Sequence, residues 1–385
     1  MIIWFYVVVL LLTGVYSYWL IDPNITFFQS SYWVQFRDWA VYLGYYRRDI
    51  SWIVYLTLLI LLFIFHYIFL KKFKQHSVLR IAGLIVLLGC VSYPFLSHDL
   101  FNYLFDARIL TRYGLNPYTY TALDFQKDLW TRFMHWTHRT YPYGPTFLPL
   151  SLIPSFLGWG KFSITFFLYK LMNGAFYFLA VYLLNKKNKK EAMMFATHPL
   201  IIIEGLINGH NDMIAVSIGI IGIYLLEKKY NVWSRILLLF SVGIKYVTLP
   251  IMFLGTIHVI PSGAEGSQRL RFLHFSRNDT EKIILFTAQT LLILYLCFKM
   301  EIQPWYFLSL FVFIPFFPVF IKKLNILFFG LLLSYYPFIR FGDWTAQKVA
   351  LKREIVFIAI LIQGVFLVTR YLYKRKLVVP FYLKK

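Results

Sequence analysis

Long apolar blocks constrain the fold of this chain more than any other feature of its sequence. The clearest cover residues 2–20, 51–70 and 281–300. Each is about as long as the roughly 20 residues that a helix needs to cross a bilayer. Hydrophobic residues fill 59% of the 385 positions and charged residues only 15%, whereas average soluble domains are roughly half apolar and a quarter charged. The sequence therefore excludes a soluble enzyme, a disordered chain and a disulfide scaffold, and it predicts an all-α polytopic membrane protein.

The charge of the chain is strongly positive, with 39 Lys and Arg against 17 Asp and Glu and a formal charge of +22. In a soluble protein this surplus would suggest a nucleic-acid partner. Here the basic residues cluster in short connections between apolar blocks, as at 71–74, 186–190 and 374–376. That pattern is typical of cytoplasmic loops. We therefore expect a multi-pass protein of the cell membrane with no nucleic-acid partner, and contact with anionic membrane lipids is the further use that the clusters indicate.

Assigning these clusters to the cytoplasm predicts about 11–12 transmembrane helices. Two N-terminal helices occupy 1–80, a central module occupies 81–260, and further helices occupy 261–385. The module contains the longest polar stretch, 97–142, whose nearly balanced charges indicate an external loop. The apolar segment 143–157 is short and proline-rich, so we expect a re-entrant or interfacial piece.

Later segments complete this topology. Residues 233–249 and 305–321 are predicted to be continuous spans, and the linker 262–282 is expected in the cytoplasm.

Asp99 is the first candidate for chemistry. It lies in the sequence Ser-His-Asp-Leu-Phe-Asn-Tyr at 97–103, where a span meets the external loop. Partial desolvation there can raise a carboxylate pKa, and such a group can act as a general base towards a substrate hydroxyl. A helix-capping or solvated interfacial carboxylate is the alternative.

A second polar group, His210-Asn211-Asp212, follows Glu204 in an otherwise apolar region. In a continuous helix, positions 204, 208 and 211 or 212 would share one face. An Asp at mid-helix costs roughly 2.5–3.5 kcal/mol on insertion scales, and such groups are usually functional or paired. A plain interfacial turn is the alternative.

Two isolated cations are further candidates. Lys245 lies in an apolar segment just before Pro250, where it either snorkels outwards or meets an anion. Arg340 lies beside a late external turn, and its planar guanidinium suits a phosphate. Trp305 and Tyr306 in another such turn are explained equally well as interfacial aromatic residues.

Together these motifs resemble the GT-C fold glycosyltransferases, most closely the bacterial polyprenyl-phosphate-mannose-dependent mannosyltransferases. The residues similar to their first external loop are Asp99, Tyr103, Arg108, Gly114-Leu115-Asn116-Pro117-Tyr118 and Tyr141-Pro142-Tyr143-Gly144-Pro145. Their second and third motifs are resembled by His198-Pro199 with Glu204 and His210-Asn211-Asp212, and by Lys245 with Pro250. The resemblance runs from about residue 92 to 250, so the first two spans look like an addition.

The resemblance implies transfer of a sugar, expected to be mannose, from a polyprenyl-phosphate donor to a hydroxyl of a glycolipid or glycan acceptor. The site would lie on the extracytoplasmic side, with Asp99 as catalytic base in an inverting displacement. The implied donor and phosphate ligands are Lys245, His210, Arg340 and Arg108. The implied substrate contacts are His98, Tyr103, Asn116, Tyr143, Asn211 and Asp212.

No cofactor or metal is expected, although Asp106, on the same helical face as Asp99, leaves a divalent metal open. Related loops often carry a basic residue before the Asp. His98 in this place could contact the donor or make the local charge depend on pH.

Two other functions stay open at this point. A transporter or lipid-carrier flippase would explain many spans and buried polar groups, but it explains less well a loop of about 45 residues rich in Tyr, Trp and His. The second open function is that of a membrane assembly factor, a protein that kept the fold and lost the activity.

Overall fold

The computed structural model describes residues 2–255 and 277–382, with the side chains of 277–278 and 374–382 left out. It is 79% helical, and no strand occurs in the described residues. The predicted all-α fold is therefore confirmed. Most of the predicted linker 262–282 lies outside the described residues.

The α-helices are numbered in chain order. They are α1 (Ile2–Ser17), α2 (Ser31–Val41), α3 (Arg48–Lys71), α4 (Val78–Val91), α5 (Asp99–Tyr113), α6 (Phe147–Leu157), α7 (Phe162–Lys187), α8 (Lys189–Thr197), α9 (Asn211–Glu227), α10 (Asn231–Ile244), α11 (Arg277–Lys299), α12 (Pro318–Lys323), α13 (Asn325–Leu333), α14 (Tyr336–Phe341) and α15 (Ala346–Tyr382).

Several of these helices suit a bilayer. In the described residues, five helical segments are long and apolar enough to cross it, namely Ile2–Leu20, Arg48–Lys71, Phe162–Lys187, Asp279–Lys299 and Ala346–Tyr373. A bent pair, Ile201–Ile207 with Asn211–Glu227, makes a sixth if it is one span. Shorter apolar helical stretches of 10–17 residues also occur. The chain is thus a multi-pass membrane protein, and the number of about 11–12 spans stays a prediction.

The basic connections gather at one end of the helix bundle, here called the basic end. Lys187, at the end of α7, forms an ion pair with Glu227, at the end of α9. Lys189 donates to the backbone carbonyl of Lys74, between α3 and α4, at 3.1 Å. Lys282 of α11 lies over the Phe316 ring, 5.1 Å from its centroid. Since α9 ends here, its first residue lies at the opposite end of the bundle.

The span before α9 is broken. Residues Ile201–Ile207 form a π-helix, Gly209 adopts φ +72°, and α9 leaves at 107° to the π-helix. A positive φ is easily reached only by glycine. The expectation of one continuous face for positions 204, 208 and 211 or 212 is therefore wrong, although Asn208 still donates to Glu204 at 2.9 Å.

A helix break inside a membrane protein leaves backbone carbonyls without partners, and each must be satisfied by another group. Three side chains of α7 do this. Lys170 donates to the carbonyls of Leu206 and Ile207, Asn173 to that of Gly205 at 2.6 Å, and Tyr169 to that of Gly209 at 3.2 Å. The π-helix and the start of α9 are thereby fixed against α7.

Prolines break two segments that we expected to be continuous spans. The segment 233–249 ends as α-helix at Ile244, and a 3-10 segment, Tyr246–Phe253, continues around Pro250. The segment 305–321 is a 3-10 stretch, Pro304–Phe313, followed by the short α12. A proline ring removes an N–H donor and crowds the preceding turn.

The eleven-residue α6 spans about 16 Å at 1.5 Å per residue, in agreement with the short segment expected at 143–157.

Lys170 is predicted to be a main anchor of the broken span. Lys170→Met removes both hydrogen bonds to the carbonyls of Leu206 and Ile207, and each buried acceptor left unsatisfied costs about 1–3 kcal/mol. Thermal unfolding in detergent should show a clear drop in apparent melting temperature. Lys161→Met, at an exposed site before the same helix, should leave it nearly unchanged. Equal melting temperatures for both variants would contradict this role.

Candidate active site

Asp99 begins α5 directly after the N-cap residue His98. Its carboxylate is stabilised there by the positive end of the helix dipole. The side chain is 16% exposed, and its Oδ2 lies 3.6 Å from Nδ1 of His210. The loop carboxylate and the second motif therefore meet in space, as the sequence predicts.

His210 lies between two carboxylates. Its Nδ1 faces Asp99, and its Nε2 lies 3.4 Å from Oε2 of Glu204. Both His210 and Glu204 are fully buried. The His210 ring stacks on Trp305, with 4.1 Å between the centroids and 19° between the planes. Both nitrogen–oxygen distances exceed the usual hydrogen-bond length of about 2.7–3.2 Å, so neither ring nitrogen is hydrogen-bonded to its carboxylate.

Lys245 meets an anion from its own chain. Its Nζ lies 2.8 Å from Oδ2 of Asp212, which is 1% exposed, whereas the lysine side chain is 20% exposed. The Asn211 Oδ1 accepts from Lys245 at 3.4 Å and from the Tyr103 hydroxyl at 3.3 Å. Snorkelling is therefore not the role of Lys245. The lysine instead places a partly exposed cation at the N-terminus of α9, where backbone N–H groups also favour an anion.

Aromatic rings of the external loop pack beside this group. Tyr103 and Tyr143 meet edge to face, with 4.8 Å between their centroids. Arg139 donates to the Tyr143 hydroxyl at 3.2 Å and lies over the Trp136 ring. Tyr143 is therefore placed next to Tyr103 by two independent contacts.

Asp106 follows Asp99 by two turns on the same face of α5 and is buried. Burial raises the pKa of its carboxyl to about 8, with Arg139 opposing the shift and Asp99 adding to it. The side chain is therefore mostly protonated at neutral pH.

His98 stacks on His135, with 3.7 Å between the ring centroids. Burial lowers the pKa of His98 to about 3, and the neighbouring His135 lowers it further. The His98 ring is therefore neutral near pH 7, which argues against a pH-dependent charge at this position.

Three of the expected ligands have partners other than Asp99. Arg108 is nine residues further along α5, about 13 Å by helical rise, and it pairs with Asp128 at 2.6 Å. Arg340 lies in α14, over the Phe341 ring. The exposed Asn116 accepts from the backbone N–H of Tyr118 at 3.0 Å and shapes the turn after α5.

Glu204 and Trp305 join the site, although neither is among the expected ligands. The sequence does give a signal for Glu204, because a carboxylate inside an apolar run is unusual. The contact of Trp305 with His210 joins segments 95 positions apart and has no local signal.

In the described residues, no group of three or more His, Cys, Asp or Glu side chains has a metal-binding arrangement. This finding does not test whether the reaction needs a metal, and a metal-independent reaction stays a prediction.

A comparison with protein families gives a match over residues 9–260 to the MptA_B family, described as alpha-(1->6)-mannopyranosyltransferase, N-terminal domain. The matched region contains Asp99, His210 and Lys245, whereas Trp305 lies beyond it. The match starts at residue 9, so the matched region includes most of the two N-terminal spans, which lie outside the resemblance over 92–250. No curated protein and no solved structure matches the chain.

The pKa of Asp106 predicts a pH-dependent stability. Because the folded pKa of about 8 lies above the ordinary carboxyl value of 3.8, the native state keeps a proton that the unfolded chain releases. The free energy of unfolding should therefore fall as the pH rises from about 4 to about 8. Asp106→Asn keeps a neutral side chain, so its apparent melting temperature in detergent should fall less over this window. An equal fall in both proteins would contradict the assignment.

Proposed function

The chain belongs to the MptA_B family of alpha-(1->6)-mannopyranosyltransferases, and from this premise we propose that it transfers mannose from a polyprenyl-phosphate donor to a hydroxyl of a glycolipid or glycan. The observation that carries the proposal is the approach of Asp99 to His210 beside the Lys245–Asp212 pair. A transporter or flippase has no such support, because the family is one of transferases.

The site suits a donor that is both lipid-linked and anionic. It lies at one end of a bundle of apolar helices, where a polyprenyl tail can stay in the membrane. Lys245 and the N-terminus of α9 offer positive charge to a phosphate at that end. Because the basic end fits the cytoplasmic side, the active site belongs to the extracytoplasmic face in this proposal.

Asp99 acts as general base in a single displacement. The Asp99 carboxylate takes the proton of the acceptor hydroxyl while the acceptor oxygen bonds to the anomeric carbon of the sugar. The bond from that carbon to the phosphate oxygen breaks, and polyprenyl phosphate leaves with the electron pair. Its developing charge is stabilised by Lys245 and the backbone N–H groups of α9. Because the family description gives an alpha product, inversion requires a beta-linked donor.

His210 positions the base. It approaches Asp99 through Nδ1 and Glu204 through Nε2, and its ring plane is held by the stack on Trp305. A ring held in this way keeps Asp99 oriented towards the acceptor. Tyr103, Asn211 and Tyr143 are the proposed substrate contacts around it.

Asp99→Asn is predicted to abolish transfer with little effect on folding. The amide keeps the shape of the side chain but cannot accept the proton, and loss of a general base costs about 10²–10⁴-fold in rate. The assay follows radiolabelled mannose from polyprenyl-phosphate-mannose into glycolipid extract, in membranes with matched protein levels. Asp38→Asn, at an exposed site in α2, is the control. Transfer by Asp99→Asn at the wild-type rate would remove Asp99 from the mechanism.

Lys245 is predicted to act on the donor more than on the acceptor. The double variant Lys245→Met/Asp212→Asn removes the pair without leaving Asp212 buried and unpaired. Its KM for the donor should rise about tenfold, as expected for the loss of a charge-assisted contact of ~1.5 kcal/mol, while the KM for the acceptor changes little. Equal changes in both KM values would count against phosphate binding.

The proposed face of the membrane can be tested at Asp124, which is exposed in the loop after α5. Asp124→Cys, in a chain with Cys90 and Cys297 replaced by Ala, should react with an impermeant maleimide on intact cells. Labelling only after lysis would place the active site on the cytoplasmic side.

A further inference from the structure

We propose that a cleft on the opposite side of α5 from Asp99 binds the phosphate of an anionic membrane lipid. The cleft has a volume of about 160 Å³ and lies between α5, the 3-10 segment Leu129–Phe133 and the end of α6. Its polar lining comes from Arg108, Thr111, Arg112 and Ser155. None of these residues takes part in the proposed transfer.

Two arginines give the cleft its charge. Arg108 and Arg112 are four residues apart and share one face of α5. Only Arg108 has a carboxylate partner, Asp128, and among the described residues no ion pair includes Arg112. The cleft therefore keeps a positive charge that a phosphate can neutralise, and guanidinium groups suit phosphate oxygens better than ammonium groups do.

Arg108 is held in place before any ligand arrives. Its Nε donates to Asp128 at 2.6 Å, its Nη1 to the carbonyl of Gly160 at 3.4 Å, and its guanidinium carbon lies 4.2 Å from the Trp130 ring centroid. Asp128 also accepts from the Tyr113 hydroxyl at 2.7 Å. A side chain fixed by this many contacts loses little further freedom when it binds an anion.

The rim of the cleft suits a lipid better than a soluble anion. Trp159 is 80% exposed and Phe156 is 59% exposed, and both line the cleft. On the same helix Ile153 and Leu157 are also exposed, which gives α6 an apolar surface for acyl chains. Tryptophan beside arginine is typical of the membrane interface, where head groups meet the hydrocarbon.

The backbone is strained at Trp159 on the rim, and this strain is a sign of function that does not depend on the charge of the cleft. Trp159 adopts φ +45° and Gly160 adopts φ +71°. A left-handed conformation is disfavoured for a bulky side chain, and such strain concentrates at ligand sites. Here it presents the Trp159 ring to the surroundings instead of to the protein core.

The cleft is separate from the active site by geometry. Nine residues separate Asp99 from Arg108, which is two and a half helical turns, so the two side chains leave opposite faces of α5. A variant in the cleft can therefore change lipid binding without touching the residues of the proposed sugar transfer.

The experiment titrates the purified full-length protein in detergent with phosphatidylglycerol and with phosphatidylcholine of the same acyl chains. Native mass spectrometry counts the bound lipids. The wild type should prefer phosphatidylglycerol. Arg112→Gln should weaken phosphatidylglycerol binding about fivefold, as expected for one cation near an anionic head group, and should leave phosphatidylcholine binding unchanged. Arg132→Gln removes the same charge from an exposed site of the same loop outside the cleft and should have no effect.

Equal phosphatidylglycerol binding by Arg112→Gln and Arg132→Gln would overturn the proposal. Displacement of the lipid by glycerol phosphate at the same concentration would also overturn it, since a free phosphate would then be the ligand. Trp159→Ala provides a second variant on the exposed rim. It should also lose phosphatidylglycerol binding, and unchanged binding would contradict the role of the rim.

Discussion

The support of the broken span by α7 is the interaction on which the site depends. Without the donors of Lys170, Asn173 and Tyr169, the carbonyls before α9 would be unsatisfied in an apolar environment. The break turns the chain by 107° and so aims the first residues of α9 at α5. A continuous helix would instead carry Asp212 further along the bundle, away from Asp99.

The second constraint is that the two opposite faces of α5 contact different parts of the protein. The face that carries Asp99 and the buried Asp106 packs towards His210 and Arg139. The other face carries Arg108 towards Asp128 and Trp130. One short helix thus separates the proposed site of sugar transfer from the proposed site of lipid binding.

Much of the site was accessible from the sequence because membrane burial is costly for charged groups. Asp99, His210, Asp212 and Lys245 stood out against apolar surroundings, and the structure brings them together. Arg108 could have been separated from this group on the sequence alone. It follows Asp99 by nine residues, which is two and a half helical turns, so the two side chains lie on opposite faces of one helix.

A turn near residue 209 was one of two interpretations of the sequence, and the structure shows that turn. The end of α10 at Ile244 and the 3-10 stretch Pro304–Phe313 were missed because apolar composition does not reveal where a helix ends. Long-range contacts were missed for a related reason. Lys170 and Trp305 act on residues 36 and 95 positions away, and nothing in their local sequence identifies these partners. Trp305 also lies beyond the matched N-terminal domain, residues 9–260, and it stacks on His210 within that region.

The stereochemistry of transfer tests the central claim most directly, because a single displacement with Asp99 as base must invert the anomeric carbon. A donor with beta-linked mannosyl phosphate should give only alpha-linked product, seen in the one-bond carbon–hydrogen coupling of the new anomeric centre. Donor and product of the same anomeric configuration would contradict the account, since retention requires two displacements and a nucleophile in place of a base.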